Sequence, residues 1–317
     1  MMKKYVLLGI VFLFFSAGYL PTLEQSMRIG REDNWKGINF LSSENITLQE
    51  GRLGYPDVVL REGEYTPDEK TDMLFHFNDG EIRDEAGNYQ INGSTGSVTR
   101  KMKQYGDGSA VFQRENVIYL KPQTGALFAP GSNWLDFSIE FWLYPANLEE
   151  GETLFFWQGS DQRNGEVVTQ QVICSVRNRR LQWEFINFFI PPDNSKYELT
   201  VSGKTQLVPR RWKHHLLRFN SRTGLVEYLV DEVREGISYA SRSGREDGSV
   251  YLPGVGQFSS ESIRIGENFT GFIDEFRLTE DFVENPFTGK YRKTGGAMIT
   301  GLYDLGYNGS SLLSVTP

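Results

Sequence analysis

A glutamate and two aromatic residues, Glu140, Trp142 and Tyr144, alternate along one short apolar segment of the chain. Successive side chains of a strand point to opposite faces, so these three residues share one face and the apolar residues between them share the other. An aromatic face beside a hydrogen-bonding carboxylate is suited to binding sugar rings. Trp157 and Trp183 are predicted to extend this platform from neighbouring strands. The alternative is that loops or the N-terminal segment cover the face, which makes its aromatic residues a second core.

Other residues capable of chemistry do not form a catalytic pattern in the sequence. The three histidines are His76, His214 and His215. The adjacent pair points to opposite faces of a regular strand and cannot jointly bind one metal ion. The sequence has no G-x-S-x-G elbow and no P-loop. Cys174 is the single cysteine, which excludes an intramolecular disulfide and is typical of a buried thiol.

The elements that must position these residues are predicted to be strands. Alternating runs rich in β-formers recur along the chain, separated by turns of Asn, Asp and Gly, and helical periodicity is weak. The 22 Phe, 15 Tyr and 6 Trp suffice to fill a thick core between two sheets. The sequence therefore predicts an all-β protein built as an antiparallel two-sheet β-sandwich, without a long helix.

Four segments in a particular order carry a family resemblance. A strand of the form hydrophobic-E-F-W-hydrophobic-x-P spans 137–145, and a W-x-H strand lies at 211–220. A hairpin follows at 224–233, and a G-x-I-D-E-hydrophobic-R strand closes the order at 271–278. This order resembles the concanavalin A-like lectin/glucanase superfamily, in particular its laminin G-like jelly roll, over residues 70–282. The resemblance implies a concanavalin A-like jelly roll and leaves function open, because that fold hosts lectins, glycanases, adhesion modules and scaffolds.

The resemblance also introduces the hypothesis that the protein hydrolyses polysaccharides. Retaining glycanases of this family carry their acids on one strand as Glu-x-Asp-x-x-Glu, and two carboxyl groups about 5–5.5 Å apart perform the reaction. The sequence lacks this run and the related Glu-x-Asp-x-Glu. The remaining candidates are Glu140 and Glu184, one acid from each of two strands. We therefore expect a protein that is not an enzyme.

A structural calcium ion is a second implication of the resemblance. Members of the family often hold Ca²⁺ through the Asp of the G-x-I-D-E strand together with loop oxygens near the first strand, and hard cations prefer such oxygen ligands. Asp274 matches that Asp, and Asp79, Asp84 and Asn88 lie in the loop predicted to approach it. The alternative is that Asp274 accepts hydrogen bonds from backbone donors at a strand crossing.

Charge is spread along the chain. The formal net charge is −8, and the basic residues form only short doublets such as Arg179-Arg180 and Arg210-Arg211. A nucleic-acid-binding protein should present a concentrated basic face, so nucleic acid is excluded as a predicted partner.

The N-terminus has the order of a secretory signal peptide. Lys3-Lys4 precedes an apolar run over 5–15 and small residues at 16–18. This run is short for a membrane span, which needs about 20 apolar residues. We expect a cleaved bacterial signal peptide at 1–19 and delivery to the periplasm, the cell surface or the medium. The alternative is an uncleaved N-terminal anchor, the one case in which a membrane is predicted as a partner.

The rest of the chain divides into three predicted regions. Residues 20–70 are predicted to form an extended arm that contributes an edge strand through Val58–Leu60, and residues 71–290 the jelly roll. Residues 291–317 contain two strand-like runs after Gly295-Gly296. These runs either pack back on the sandwich or begin a truncated second β module.

The predicted function is recognition without catalysis. We expect an exported module that binds a carbohydrate or an extracytoplasmic protein through one sheet face or its rim loops. A structural subunit of a cell-envelope or surface assembly, joined to neighbours by strand pairing, is the alternative. A divergent polysaccharide hydrolase is the third hypothesis.

Overall fold

The chain is described by a computed structural model that covers residues 40–44, 46–50, 56–60, 63–246, 248–286 and 297–300. The predicted signal peptide, most of the predicted arm and most of the C-terminal tail lie outside these residues. Within them, no helix has the length and apolar character needed to cross a membrane. A 3-10 turn at Asn78–Gly80 is the helical segment among the described residues.

Strands make up the regular structure. In chain order they are β1 Phe40–Glu44, β2 Ile46–Glu50, β3 Pro56–Leu60, β4 Thr71–Phe75, β5 Tyr89–Ser94, β6 Ser97–Thr99, β7 Ser109–Phe112, β8 Ile118–Pro122, β9 Phe137–Pro145, β10 Thr153–Arg163, β11 Glu166–Arg177, β12 Arg180–Ile186, β13 Phe189–Ile190, β14 Glu198–Ser202, β15 Lys213–Phe219, β16 Leu225–Val230, β17 Val233–Tyr239, β18 Leu252–Pro253, β19 Ser259–Ser260, β20 Ile263–Ile265, β21 Gly271–Thr279 and β22 Ala297–Thr300.

The strands belong to two compact units. The first unit comprises residues 1–61 and 291–317, and the second comprises residues 62–290. In the first, β1 pairs antiparallel with β22, and β2 pairs antiparallel with β3, the strand that contains the predicted Val58–Leu60. The described tail strand thus pairs with a strand of the arm.

The second unit is a sandwich of two antiparallel sheets, as the sequence predicts. The front sheet has the order β14-β12-β11-β10-β20-β8-β5, with β19 also paired to β10. The back sheet has the order β17-β16-β15-β9-β21-β7-β6, with β4 also paired to β21. The two central strands of the back sheet, β9 and β21, are the first and last landmarks of the family resemblance.

Aromatic side chains fill the space between the sheets. On β12, Leu181, Trp183 and Phe185 are buried while the residues between them are half-buried, which is the alternation of a strand with one inner face. Phe155 of the front sheet stacks on Phe276 of the back sheet, with ring centroids 6.0 Å apart and planes 11° apart. Burial of this apolar surface is the main favourable contribution to folding.

Asp72 on β4 is a carboxyl group buried at one edge of this core. Its Oδ2 accepts a hydrogen bond of 2.5 Å from the Tyr89 hydroxyl, and its Oδ1 accepts one of 3.0 Å from the Leu127 backbone N–H. Burial raises the pKa of Asp72 to about 6, because desolvation outweighs these two hydrogen bonds. Ionisation of Asp72 is therefore less favourable in the folded protein than in the unfolded chain.

This raised pKa predicts a pH dependence of stability. The folded pKa lies above the unfolded value of about 3.9, so between these values the folded protein binds a proton that the unfolded chain does not. The contribution of Asp72 to the free energy of unfolding should fall as the pH rises from about 4 to about 6, by at most about 1.4 kcal/mol per pH unit. Asp72→Asn resembles the protonated group, so the difference in stability between variant and wild type should change across this range. Urea unfolding of both proteins at several pH values measures it, and a constant difference would contradict the assignment.

Candidate functional site

The face predicted to bind a ligand is covered at Glu140 and Trp142. Glu140, Trp142 and Tyr144 do share the outer face of β9, but Glu140 is fully buried and Trp142 is 5% exposed. Tyr144 is half-buried, with its ring against those of Trp212 and Phe272. The Trp142 ring meets the buried Tyr105 edge-on at 5.5 Å, and Tyr65 also lies buried over this face. Side chains from loops therefore make this face the second core that the alternative prediction described.

Glu140 is the centre of a buried polar network. Its Oε2 accepts a hydrogen bond of 2.9 Å from the Tyr65 hydroxyl and lies 3.0 Å from His214 Nε2. The Arg277 guanidinium donates two hydrogen bonds to Oε1, of 2.8 and 2.5 Å. Burial alone would raise the pKa of Glu140, but the charge of Arg277 and the hydrogen bond with His214 lower it to about 2. The carboxylate is thus ionised and fully occupied by its partners.

The two tryptophans predicted to extend the platform lie elsewhere, and this prediction is wrong. Trp157 on β10 and Trp183 on β12 are both 0% exposed and belong to the core between the sheets. Trp183 follows the inner-face alternation of β12, and the Trp157 ring packs 5.1 Å from that of Phe128. Their burial places them on the inner face of the front sheet, where no ligand has access.

The two candidate acids for hydrolysis are not brought together. Glu140 is on the outer face of the back sheet, whereas Glu184 is on the outer face of the front sheet between the inward Trp183 and Phe185. The core of the sandwich separates them. They cannot serve as the two carboxyl groups of one glycoside-hydrolysing site, which must flank a single bond.

Three of the four predicted calcium ligands bind protein groups. Both oxygens of Asp84 accept backbone N–H groups, two each, from Leu74, Ala86, Asn88 and Tyr89. Both oxygens of Asp274 likewise accept backbone N–H groups, those of Gln104, Tyr105 and Glu275. The Asn88 amide donates to the Asp72 carbonyl oxygen at 3.0 Å, and Asp79 lies in the exposed turn that begins at Asn78. These arrangements match the alternative, in which Asp274 binds backbone donors, and calcium stays a prediction.

The adjacent histidines point to opposite faces, as predicted. His214 joins the Glu140 network on the outer face of β15. His215 faces inward, where its Nδ1 lies 2.6 Å from the Tyr228 hydroxyl and its ring stacks on Phe141. Burial, followed by the nearby His214 and Lys213, lowers the pKa of His215 to about 3. His215 is therefore neutral in the folded protein.

The outer face of the front sheet offers accessible side chains suited to binding. Residues that face each other across paired strands lie on the same side of a sheet. The strand registers place six such residues in a row across β8, β20, β10, β11, β12 and β14, and we call them the front-face row: Tyr119, Arg264, Phe156, Ile173, Glu184 and Thr200. The first five are half-buried and Thr200 is exposed.

Phe156 and Arg264 form the middle of this row. The guanidinium carbon of Arg264 lies 4.0 Å from the centroid of the Phe156 ring, a cation–π contact. Arg264 also donates a hydrogen bond of 2.8 Å to Glu267 Oε1. The pair places an aromatic ring beside a guanidinium group that carries N–H donors.

Amide and carboxylate groups lie beside the stacked pair. Two residues after Phe156 on β10, Gln158 Oε1 accepts a hydrogen bond of 2.7 Å from the Gln171 amide. The Gln158 amide donates a hydrogen bond of 3.1 Å to Glu261 Oε1. The Gln182 amide donates 2.8 Å to Glu184 Oε1. An aromatic ring flanked by amides and a carboxylate on adjacent strands combines a stacking surface with both hydrogen-bond donors and acceptors.

Sequence reasoning missed the front-face row for an identifiable reason. Residues 154–157 of β10 are all apolar, and a register irregularity lies between Thr153 and Phe155. Alternation alone therefore did not distinguish the outward Phe156 from the inward Trp157. The available signal was the polar continuation at Gln158 and Ser160, which follow Phe156 at a spacing of two and share its half-buried face.

Comparisons with known proteins find distant similarity to solved structures. No protein-family model matches the chain, and no curated protein matches it. Domain 4 of AbnA, a GH43 extracellular arabinanase from Geobacillus stearothermophilus, solved in complex with arabinotriose, is 18% identical with a TM-score of 0.43, over 67% of this chain and 93% of that domain. The binding domain of botulinum neurotoxin serotype D is 12% identical with a TM-score of 0.45, over 68% of this chain and 48% of its own. This chain thus spans about half the length of that binding domain.

Proposed function

We propose that this chain is an exported, non-catalytic recognition module of the concanavalin A-like, laminin G-like type, and that it binds a carbohydrate. The observation that carries this proposal is the front-face row, where the half-buried Phe156–Arg264 pair lies among glutamine and glutamate side chains. Apolar sugar faces stack on an aromatic ring, and sugar hydroxyls both donate and accept hydrogen bonds. Placement of this chemistry on neighbouring strands holds it rigid, which reduces the entropy lost on binding.

Absence of catalysis is part of the proposal and has its own support. Glu140 is sequestered by Arg277 and His214, and Glu184 lies on the opposite outer face of the sandwich. Export is supported by the charged, apolar and small-residue order of residues 3–18. An extracytoplasmic protein is the other partner that the same face could bind, and a surface-assembly role remains the alternative.

Removal of the stacking surface should weaken binding. Phe156→Ala is expected to weaken carbohydrate binding about two- to tenfold, since an aromatic contact contributes on the order of 0.5–1.5 kcal/mol. The measurement is binding of residues 20–317 to a broad glycan array, followed by titration calorimetry on each glycan that is retained.

Phe282→Ala is the matched control for this experiment. Phe282 is also half-buried, and an arginine guanidinium, that of Arg218, lies 4.3 Å over its ring, but it follows β21 of the back sheet and lies off the front-face row. This variant should bind like wild type. Equal losses in both variants, or none in Phe156→Ala, would refute the proposed site. Failure of the wild type to bind any glycan would favour a protein partner.

A further inference from the structure

Three side chains from separate parts of the sandwich converge outside the front-face row. Glu64 precedes β4, His76 follows β4, and Glu275 lies within β21. One ligand atom of each residue lies within 4.8 Å of a ligand atom of each of the other two. Among the described residues, this is the group of three His, Cys, Asp or Glu side chains that meets this spacing. The Glu275 side chain is 1% exposed and that of His76 is 13% exposed.

A bulge in β21 directs Glu275 toward this group. The register of β21 against β9 shifts between Asp274 and Arg277, and Glu275 has a φ of 50°. The bulge lets two consecutive carboxylates, Asp274 and Glu275, contact the segments that cover the outer face. The Tyr65 backbone N–H donates a hydrogen bond of 2.6 Å to Glu275 Oε2. The other carboxylate oxygen, Glu275 Oε1, lies 2.6 Å from His76 Nδ1. Glu275 is thus oriented with one oxygen fixed and the other toward the group.

Glu64 is also held in place by its neighbours. The Asn78 amide donates a hydrogen bond of 2.5 Å to Glu64 Oε1. Asn78 Oδ1 accepts a hydrogen bond of 2.8 Å from the Asp107 backbone N–H. A Cβ at Gly106 would lie 2.2 Å from Glu64 Oε1 and 2.4 Å from Asn78 Oδ1. A glycine at 106 is therefore required for these side chains to approach one another so closely.

The group carries more negative than positive charge. Two carboxylates face one imidazole, and the buried Asp274 carboxyl is adjacent in sequence to Glu275. The nearby Arg277 is bound to Glu140. Carboxylate oxygen with imidazole nitrogen is a donor set suited to borderline divalent ions of the zinc class, which differs from the all-oxygen set that calcium prefers.

We propose that Glu64, His76 and Glu275 bind one divalent cation of the zinc class. The ion takes the position now held by the proton between His76 Nδ1 and Glu275 Oε1, and that proton is released to solvent. Tetrahedral bonds of about 2.0–2.1 Å place two ligand atoms about 3.3 Å apart, so the present separation of 2.6 Å must widen. The half-buried Glu64 and His76 leave the fourth position to water. The bound ion would tie the segment at 64–65 to β4 and β21.

Metal titration of the full chain, produced without a histidine tag, tests this proposal. Zn²⁺ added to protein treated with chelator should bind at one ion per chain and raise the melting temperature, and Ca²⁺ should do neither. Co²⁺ in its place should give the visible absorption of a tetrahedral ion with oxygen and nitrogen ligands.

Two variants and a control assign the ligands. Glu64→Gln and His76→Gln should each weaken Zn²⁺ binding at least tenfold, in line with the loss of one of three protein ligands. Glu81→Gln changes an exposed glutamate close to Asn78 and should leave affinity unchanged. If His76→Gln fails to fold, Glu64→Gln still tests the site, because Glu64 is only half-buried. Absence of Zn²⁺ and Co²⁺ binding to folded wild type, or unchanged affinity in Glu64→Gln, would overturn the proposal whatever the outcome of the glycan experiment.

Discussion

Glu140→Ala is expected to lower the free energy of unfolding by about 3–5 kcal/mol, because it leaves the charge of Arg277, whose side chain is 15% exposed, without its carboxylate partner. Arg277 would lose both hydrogen bonds to Glu140 Oε1, and the Tyr65 hydroxyl and His214 would lose their shared acceptor. The substitution also leaves a cavity beneath Tyr65. Urea unfolding at neutral pH, monitored by tryptophan fluorescence, gives the difference directly.

Glu184→Ala is the control for Glu140→Ala. Glu184 is half-buried on the opposite sheet and bonds to the Gln182 amide. Its removal should change stability by less than about 1 kcal/mol, as for other partly exposed polar contacts. A loss in Glu140→Ala no larger than that in Glu184→Ala would show that the network around Glu140 does not hold the covering segment in place.

Asp84→Ala should be comparably damaging, with an expected loss of at least about 3 kcal/mol. The four backbone N–H groups bound by the Asp84 carboxylate would lose their acceptor, and an unsatisfied buried donor costs about 1–3 kcal/mol. Asp84→Asn keeps one carbonyl oxygen and should be intermediate. Thermal and urea unfolding of the two variants measure the series.

Asp79→Asn separates a structural role of Asp84 from calcium binding. Asp79 shares the predicted calcium loop but lies in an exposed turn with a φ of 57°, a conformation that asparagine tolerates. Its substitution should leave stability within about 0.5 kcal/mol of wild type. A different result would be that chelator destabilises the wild type but changes the stability of neither Asp79→Asn nor Asp84→Asn. Calcium binding would then explain the role of Asp84 better than its backbone contacts do.

Local patterns predicted the strands well. The alternation of Glu140, Trp142 and Tyr144 placed them on one face of β9, and the adjacent His214 and His215 were assigned to opposite faces. These properties follow from the two-residue period of a strand, which is encoded within a few positions.

The sequence could not predict which outer face remains accessible. Tyr65 and Tyr105 cover Glu140 and Trp142 from segments far away in the chain, and their arrival depends on the tertiary fold. The same limit applies to Trp157, because β10 is apolar on both faces at that point. The group of Glu64, His76 and Glu275 is also assembled by strand pairing and a bulge, which no short motif reveals.

The pairing of β1 with β22 has a mechanical consequence. Phe40 pairs with Thr300 and Glu44 pairs with Ala297, so the N-terminal end of β1 and the C-terminal end of β22 meet at one end of the ladder. Tension applied through residues before β1 and after β22 would open this ladder like a zipper, one hydrogen bond at a time from the Phe40–Thr300 end. A ladder opened in this way resists less force than one whose bonds are sheared together. Stretching would therefore release the strand pair first, and the intervening sandwich would bear load only afterwards.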